Sequence, residues 1–284
     1  MSAQRAPSCS DASRAAHEPL AGTATPTEHW LLVEVPGAWP RDVGLEGALP
    51  ESAHAALTAW VSATPRSRLL YLRRPGRSAK RPGVFAVMSR EGSSELRRIV
   101  VERHEDLAHA DLDGGELVEG RLVLVCGHGS RDQCCALRGT PVFGALASGS
   151  DEDDLWISSH QGGHRFAGNV LVLPVGVHLG RLDADNAPAV VQRLFRGRID
   201  LGHYRGRTFY DAPVQAAEHA IREHTGLDGV DDLRLAAVEA SLVRFHDRDG
   251  NAHEAEVERA PGPLVPASCG TAPEPQALFR GRAV

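Results

Sequence analysis

Cys126 and Cys135 stand nine residues apart, and His160 and His164 follow them four residues apart. The two segments read Cys126-Gly-His-Gly-Ser-Arg-Asp-Gln-Cys-Cys135 and His160-Gln-Gly-Gly-His164. Each comes just after an apolar run with the look of a buried strand, Leu122-Val-Leu-Val125 before the first and Leu155-Trp-Ile157 before the second. Two thiolates and two imidazoles brought to one place make a soft four-donor set, suited to zinc or to an iron–sulfur cluster. Gly127 and Gly129 let the backbone approach such a centre closely. Gly162-Gly163 argues for a loop rather than a helix, with both imidazoles turned the same way. None of the four carries the inference alone, since a solitary buried cysteine is usually just a small apolar residue. Cys134 adjoins Cys135, and either could serve as the second thiolate.

Other residues are weaker candidates. Cys126-Gly-His128 has the form of the first half of a Rieske box, but its companion Cys-x-x-His is missing, so His128 is read as a supporting donor or loop residue. Arg131, Asp132 and Arg165 read as ties between loops. Cys9 reads as a free thiol and Cys269, in Ser268-Cys269-Gly270, as structural. Eleven of the 31 basic residues and only three acids lie between Arg66 and Arg103; this stretch reads as a solvated strand face rather than a docking site for an acidic partner. Asp151-Glu-Asp-Asp154 reads as an exposed loop. No glycine-rich dinucleotide fingerprint or P-loop is present, and no opposed pair of carboxylates stands out for glycoside hydrolysis.

The elements that must position these donors follow from patterning. Residues 1–28, rich in Ala, Ser, Thr and Pro, read as a flexible arm. Residues 29–115 read as a small α/β unit: a strand at Trp30–Val35, a helix over 50–63 and strands at 68–72, 84–88 and 96–101. Residues 116–205 repeat the theme with strands at 122–125, 155–157, 170–173 and 178–182, a helix over Cys135–Leu146 and another beginning after Asn186. That order, β-α-β-β-β-α, is thioredoxin-like, and the first unit is a candidate degenerate copy of it. Residues 206–284 read as a helix over Asp211–His224 followed by strands that turn at Asp247-Arg-Asp-Gly-Asn251, with a proline- and glycine-rich tail from Ala260. The composition is that of an ordinary globular protein, and the net charge of −6 gives no reason to expect nucleic acid. No apolar run reaches the roughly 20 residues of a membrane helix. Five cysteines, an odd number, do not resemble a disulfide framework. With no signal-like N-terminus, a reducing cytoplasm is the expected location.

The run Cys126-Gly-His-Gly-Ser-Arg-Asp…Cys134-Cys135, then Ser159-His-Gln-Gly-Gly-His-Arg-Phe-Ala-Gly-Asn-Val-Leu-Val-Leu-Pro174, resembles the signature of the sucrase/ferredoxin-like family. Glu18-Pro-Leu-Ala-Gly-Thr23, Trp30-Leu-Leu-Val-Glu34 and Ser268-Cys269-Gly270 extend the resemblance along the chain, though it is specific only over about 122–176. It implies a thioredoxin-like, ferredoxin-type domain whose [2Fe–2S] cluster is held by Cys126, Cys135, His160 and His164, the motif spacing favouring Cys135 over Cys134. The expected function is electron transfer or redox sensing with a redox protein as partner, rather than catalysis on a substrate of its own. Zinc on the same four residues is the alternative. A thiol oxidoreductase is a third reading, although it has no Cys-x-x-Cys and leaves the histidines without a role.

Overall fold

The computed structural model describes residues 8–45, 47–76, 80–148 and 154–284. Helix α1 (Cys9–Ala15) begins the described chain, and the largest feature after it is a mixed ten-stranded sheet made of two halves with one topology. In the first half, strand β1 (His29–Glu34) leads through helix α2 (Glu51–Ala63) to the parallel strand β2 (Ser67–Arg73). Strands β3 (Val84–Met88) and β4 (Glu95–Arg98) then return antiparallel on the other side of β1, with the short β5 (Glu116–Leu117) at the rim. In the second half, β6 (Leu122–Cys126) leads through α3 (Gln133–Ala147) to the parallel β7 (Leu155–Ser158). Strands β8 (Val170–Leu173) and β9 (Val177–Leu179) return beside β6, helix α4 (Ala187–Phe195) follows, and β10 (Tyr204–Arg207) adds an outer strand at β9.

By sequence patterning residues 29–115 and 116–205 read as two units. They share one sheet, because β2 and β7 pair antiparallel through Leu72 and Arg73 with Ser158 and Ile157. Each would otherwise be an edge strand with unpaired backbone N–H and C=O groups, and pairing removes both edges. The two-residue period of the strands divides the core accordingly. Leu31 and Val33 face α2, and Val123 and Val125 face α3 and α4. Trp30, Leu32, Leu122, Leu124 and Trp156, from both halves, pack together on the opposite face.

The arm expected at the N-terminus differs from the structure. Residues 8–28 are not a loose arm: Ser8 caps α1, and Cys9, Ser10, Ser13 and Glu18 are all fully buried. The proline- and glycine-rich tail from Ala260 also carries strand, since β13 (Ala252–Pro266) and β14 (Pro273–Ala283) form a long hairpin. They extend a second sheet begun by β11 (Arg234–Glu239) and β12 (Leu242–His246). Pro261 and Pro263 mask the strand in the sequence; the structure tolerates them where the ladder breaks, between Pro261 and Leu264. Helix α5 (Ala212–Thr225), stopped by Gly226 in the left-handed region, fills the space between β10 and this hairpin.

Two contacts set the positions of these layers and yield predictions. Gly139, inside α3, lies against the carbonyl of Cys126, where an added methyl group would overlap the oxygen. Gly139→Ala should therefore destabilise the protein by about 1–3 kcal/mol, as overpacking does, although helix propensity alone predicts a gain; thermal unfolding reads the sign. Glu218 of α5 is fully buried, accepts from Tyr204 Oη at 2.7 Å and Arg222 at 2.9 Å, and lies 3.3 Å from Arg207. Removing it leaves buried guanidinium groups without a counter-charge, so Glu218→Ala should cost about 3–5 kcal/mol in denaturant titration. Burial pushes its carboxyl up, but Arg222 and Arg207 outweigh that and hold it below the ordinary glutamate value. Its stabilisation is therefore complete above the unfolded pKa of about 4.3 and is lost as pH falls through the lower folded value.

Candidate metal centre

Cys126 ends β6 beside Ser158, the last residue of the parallel strand β7, so Cys126 and His160 leave the sheet at neighbouring carboxyl ends. Cys135 comes from the first turn of α3, whose start is fixed by Asp132: its carboxylate accepts the Cys134 N–H at 2.9 Å. These three donors, the Cys126 and Cys135 sulfurs and a His160 nitrogen, lie within 4.8 Å of one another, and Cys135 Sγ is 3.6 Å from His160 Nδ1. Both cysteines are buried and His160 is partly exposed.

His164 stands beside this trio rather than in it. Its ring is 5.0 Å from that of His160, centroid to centroid, with 35° between the planes. Nε2 donates to the carbonyl of Ala267 in the β13–β14 turn and lies 3.7 Å from Asp132 Oδ2. Its Nδ1 is buried and has no hydrogen-bond partner. A buried acceptor nitrogen without a donor is costly in a protein interior. Here it belongs to an imidazole whose other nitrogen is held as N–H by a carbonyl, the arrangement of a metal-ligating histidine.

The loop carrying the histidines is held from below by arginines that the sequence reading did not single out. Arg205 of β10, almost fully buried, donates to the Gly162 carbonyl at 3.0 Å and to Asn169 Oδ1 at 3.0 Å; Asn169 Nδ2 in turn donates to Gly163 O at 2.9 Å. Gly163 has φ +69°, and its missing Cβ leaves room for the Arg205 guanidinium. Arg68 of β2 donates to the His160 carbonyl at 2.7 Å. No local signal marks either arginine, because both reach the loop from distant strands. His128 uses both nitrogens as supports: Nδ1 accepts the His160 N–H at 3.1 Å and Nε2 meets the Pro40 carbonyl at 2.8 Å. Arg131 reaches Asp42 at 3.5 Å, and Arg165 pairs with buried Glu18 at 2.7 Å.

Electrostatics sets the two thiols apart. The Cys135 hydrogen bond, assisted by His160, holds the Cys126 thiol well below its ordinary range against the opposing effect of burial, while Cys135 keeps its proton and is raised. Burial lowers the His164 imidazole, which favours its neutral form. Burial also lowers Arg205, to about 9, which leaves it charged at neutral pH. A cleft of about 310 Å³, lined by Arg41, Asp42, Arg68, His128, Arg131 and His160, opens on the His160 side. A larger one, about 490 Å³ beside Arg90, Arg121 and Arg207, contains none of the Cys/His donors.

A second group of donors lies next to the first: Cys9, Cys134 and Cys269 with Asp132. The sequence reading separated these three cysteines as a free thiol, a neighbour of the site and a structural residue; the fold brings their sulfurs together. All five cysteines are free thiols. Of the Asp151–Asp154 loop, residues 151–153 lie outside the described residues.

Comparison with known proteins places the chain. Part of it is 30% identical over 105 residues to altered inheritance of mitochondria protein 32 of Candida glabrata, covering 32% of this chain and 34% of that protein. The chain thus matches about a third of that relative's length. A variant of the thioredoxin-like [2Fe–2S] ferredoxin from Aquifex aeolicus is 18% identical, with a TM-score of 0.25 and coverage of 30% of this chain and 97% of that one. The family described as sucrase/ferredoxin-like matches over residues 20–206, a span that holds β1 to β9, most of β10 and all of Cys126, Cys135, His160 and His164. The chain belongs to the sucrase/ferredoxin-like family.

Proposed function

We propose that this protein is an iron–sulfur redox protein, an electron carrier or redox sensor, whose [2Fe–2S] cluster is held by Cys126, Cys135, His160 and His164. The observation that carries the reading is the convergence of two buried sulfurs and a His160 nitrogen beside the buried, unpartnered Nδ1 of His164. The donor chemistry fits: two thiolates and two neutral imidazoles are the ligand set of a Rieske-type cluster. Bound there, the cluster supplies one-electron oxidation and reduction, at a higher potential than an all-thiolate cluster would. The chain's own part is to present the sulfurs from β6 and α3, to bring His160 Nδ1 to Cys135 with the His164 ring beside it, and to set the cations Arg68 and Arg205 near the Cys126 charge.

In this reading residues 116–205 are the thioredoxin-like ferredoxin domain, residues 29–115 a degenerate copy with the same strand order, and residues 206–284 a support for the histidine loop. The partner is a redox protein, and the setting is the cytoplasm. No described helix is long and apolar enough to cross a membrane. The arginine-lined cleft reaches partly exposed His160, which offers an electron a way in.

One observation favours zinc as a second reading. Cys126, Cys135 and His160 converge without His164, closely enough to hold a single tetrahedral ion. Colour and composition separate the two. The cluster predicts red-brown protein with visible charge-transfer bands and two iron and two labile sulfide per chain; colourless protein with zinc bound at Cys126 overturns it. Cys135→Ser should abolish the visible spectrum, whereas Cys134→Ser should keep it. The reverse result would show that the wrong member of the pair has been assigned.

A further inference from the structure

We propose that Cys9, Cys134 and Cys269, with Asp132, form a second metal site that binds one zinc ion. This goes beyond the redox reading and does not depend on it. The three sulfurs come from positions far apart in the chain and meet as a triangle: Cys9 to Cys134 at 3.5 Å, Cys134 to Cys269 at 3.2 Å and Cys269 to Cys9 at 3.5 Å. These separations are far beyond an S–S bond of about 2.05 Å. Around a tetrahedral zinc with bonds of about 2.3 Å, thiolate sulfurs sit about 3.8 Å apart, so the triangle needs only a slight outward shift to admit the ion. A two-iron cluster fits poorly, because its ligands divide between two metals and cannot all be in mutual contact.

The fourth ligand is the Asp132 carboxylate. Oδ1 accepts from the Cys134 N–H at 2.9 Å; Oδ2 accepts from the Cys269 N–H and the Ser268 hydroxyl, both at 2.8 Å. Cys9 Sγ lies 3.8 Å from Oδ1 and 3.9 Å from Oδ2. Oδ1 therefore retains a lone pair on the side of the sulfurs while its partners fix its direction. Cys9, Cys134 and Asp132 are buried and Cys269 is partly so. Three thiolates and a carboxylate with no cation between them would repel one another at that depth. The N-terminal end of α3 and the two N–H donors spread the negative charge that the zinc leaves over. The bound ion ties α1, α3 and the β13–β14 turn together, and that turn supplies the Ala267 carbonyl that holds His164 Nε2.

The test is elemental analysis of the full chain, purified with whatever metals it carries, together with zinc X-ray absorption. The expected result is one zinc per chain beside the iron, surrounded by three sulfurs and one oxygen. Cys9→Ala and Cys269→Ala should each reduce zinc to background while iron and sulfide stay at their wild-type level; Cys126→Ala should lose iron and keep zinc. Zinc retained in Cys126→Ala protein supports the site even where iron is absent from the wild type, so the two readings fail separately. If either cysteine variant does not fold, the wild-type zinc coordination still decides. Wild-type protein without zinc, zinc with a nitrogen ligand, zinc lost with Cys126, or a disulfide within the trio by mass spectrometry overturns the proposal.

Discussion

The Asp132 carboxylate is the constraint on which the chemistry of this chain depends. It is buried at the N-terminus of α3, and three polar hydrogens from two distant segments converge on it: the Cys134 N–H, the Cys269 N–H and the Ser268 hydroxyl. Burial alone would raise its pKa, but these N–H donors outweigh it and hold the carboxyl well below the ordinary aspartate range. A charged acceptor that must keep all its donors fixes where α3 begins, and so where Cys134 and Cys135 point. It also fixes the β13–β14 turn, which in turn orients His164.

Adjacent helical residues diverge by about 100° around the axis, because a turn takes 3.6 residues. Cys134 and Cys135 accordingly face different neighbours. Cys135 joins Cys126 and His160, and Cys134 joins Cys9 and Cys269. A vicinal pair that reads in sequence as one ligand and one bystander thus belongs to two separate groups of donors. The close seating that makes this possible is the contact of Gly139 with the Cys126 carbonyl, which brings the start of α3 over the end of β6.

The doubled sheet gives the site its rigidity. Joining the halves through β2 and β7 places Arg68 of the first half under the histidine loop of the second, while Arg205 reaches the same loop from β10. Arg68 donates to the His160 carbonyl, and Arg205 divides its donors among the Gly162 carbonyl, Asn169 Oδ1, the Thr23 hydroxyl and His178 Nε2. The loop is irregular, with positive φ at Gly162 and Gly163, so its carbonyls lack ladder partners and need such donors.

Much of this was written locally. The buried runs Leu122–Val125 and Val170–Leu173, the helix beginning after Asn186 and the hairpin at Asp247–Asn251 follow from periodicity and turn signals, and the structure has an element at each, although the Asn186 side chain accepts from the Asp183 N–H rather than capping the helix. The types and spacing of Cys126, Cys135, His160 and His164 pointed to one centre, because metal-binding side chains clustered beside strand ends are rare by chance; the structure gathers the first three and sets the His164 ring beside His160. Three things were decided only by the tertiary structure: the pairing of β2 with β7, the anchoring of residues 8–28 through buried side chains such as Cys9, Ser13 and Glu18, and the meeting of Cys9, Cys134 and Cys269. The prolines of β13 concealed a strand that becomes possible only with β14 beside it. The physical reason is the same in each case. Propensity, capping and turn signals act over a few residues, whereas edge pairing and the gathering of sulfurs from positions 9, 134 and 269 depend on packing between segments that share no local signal.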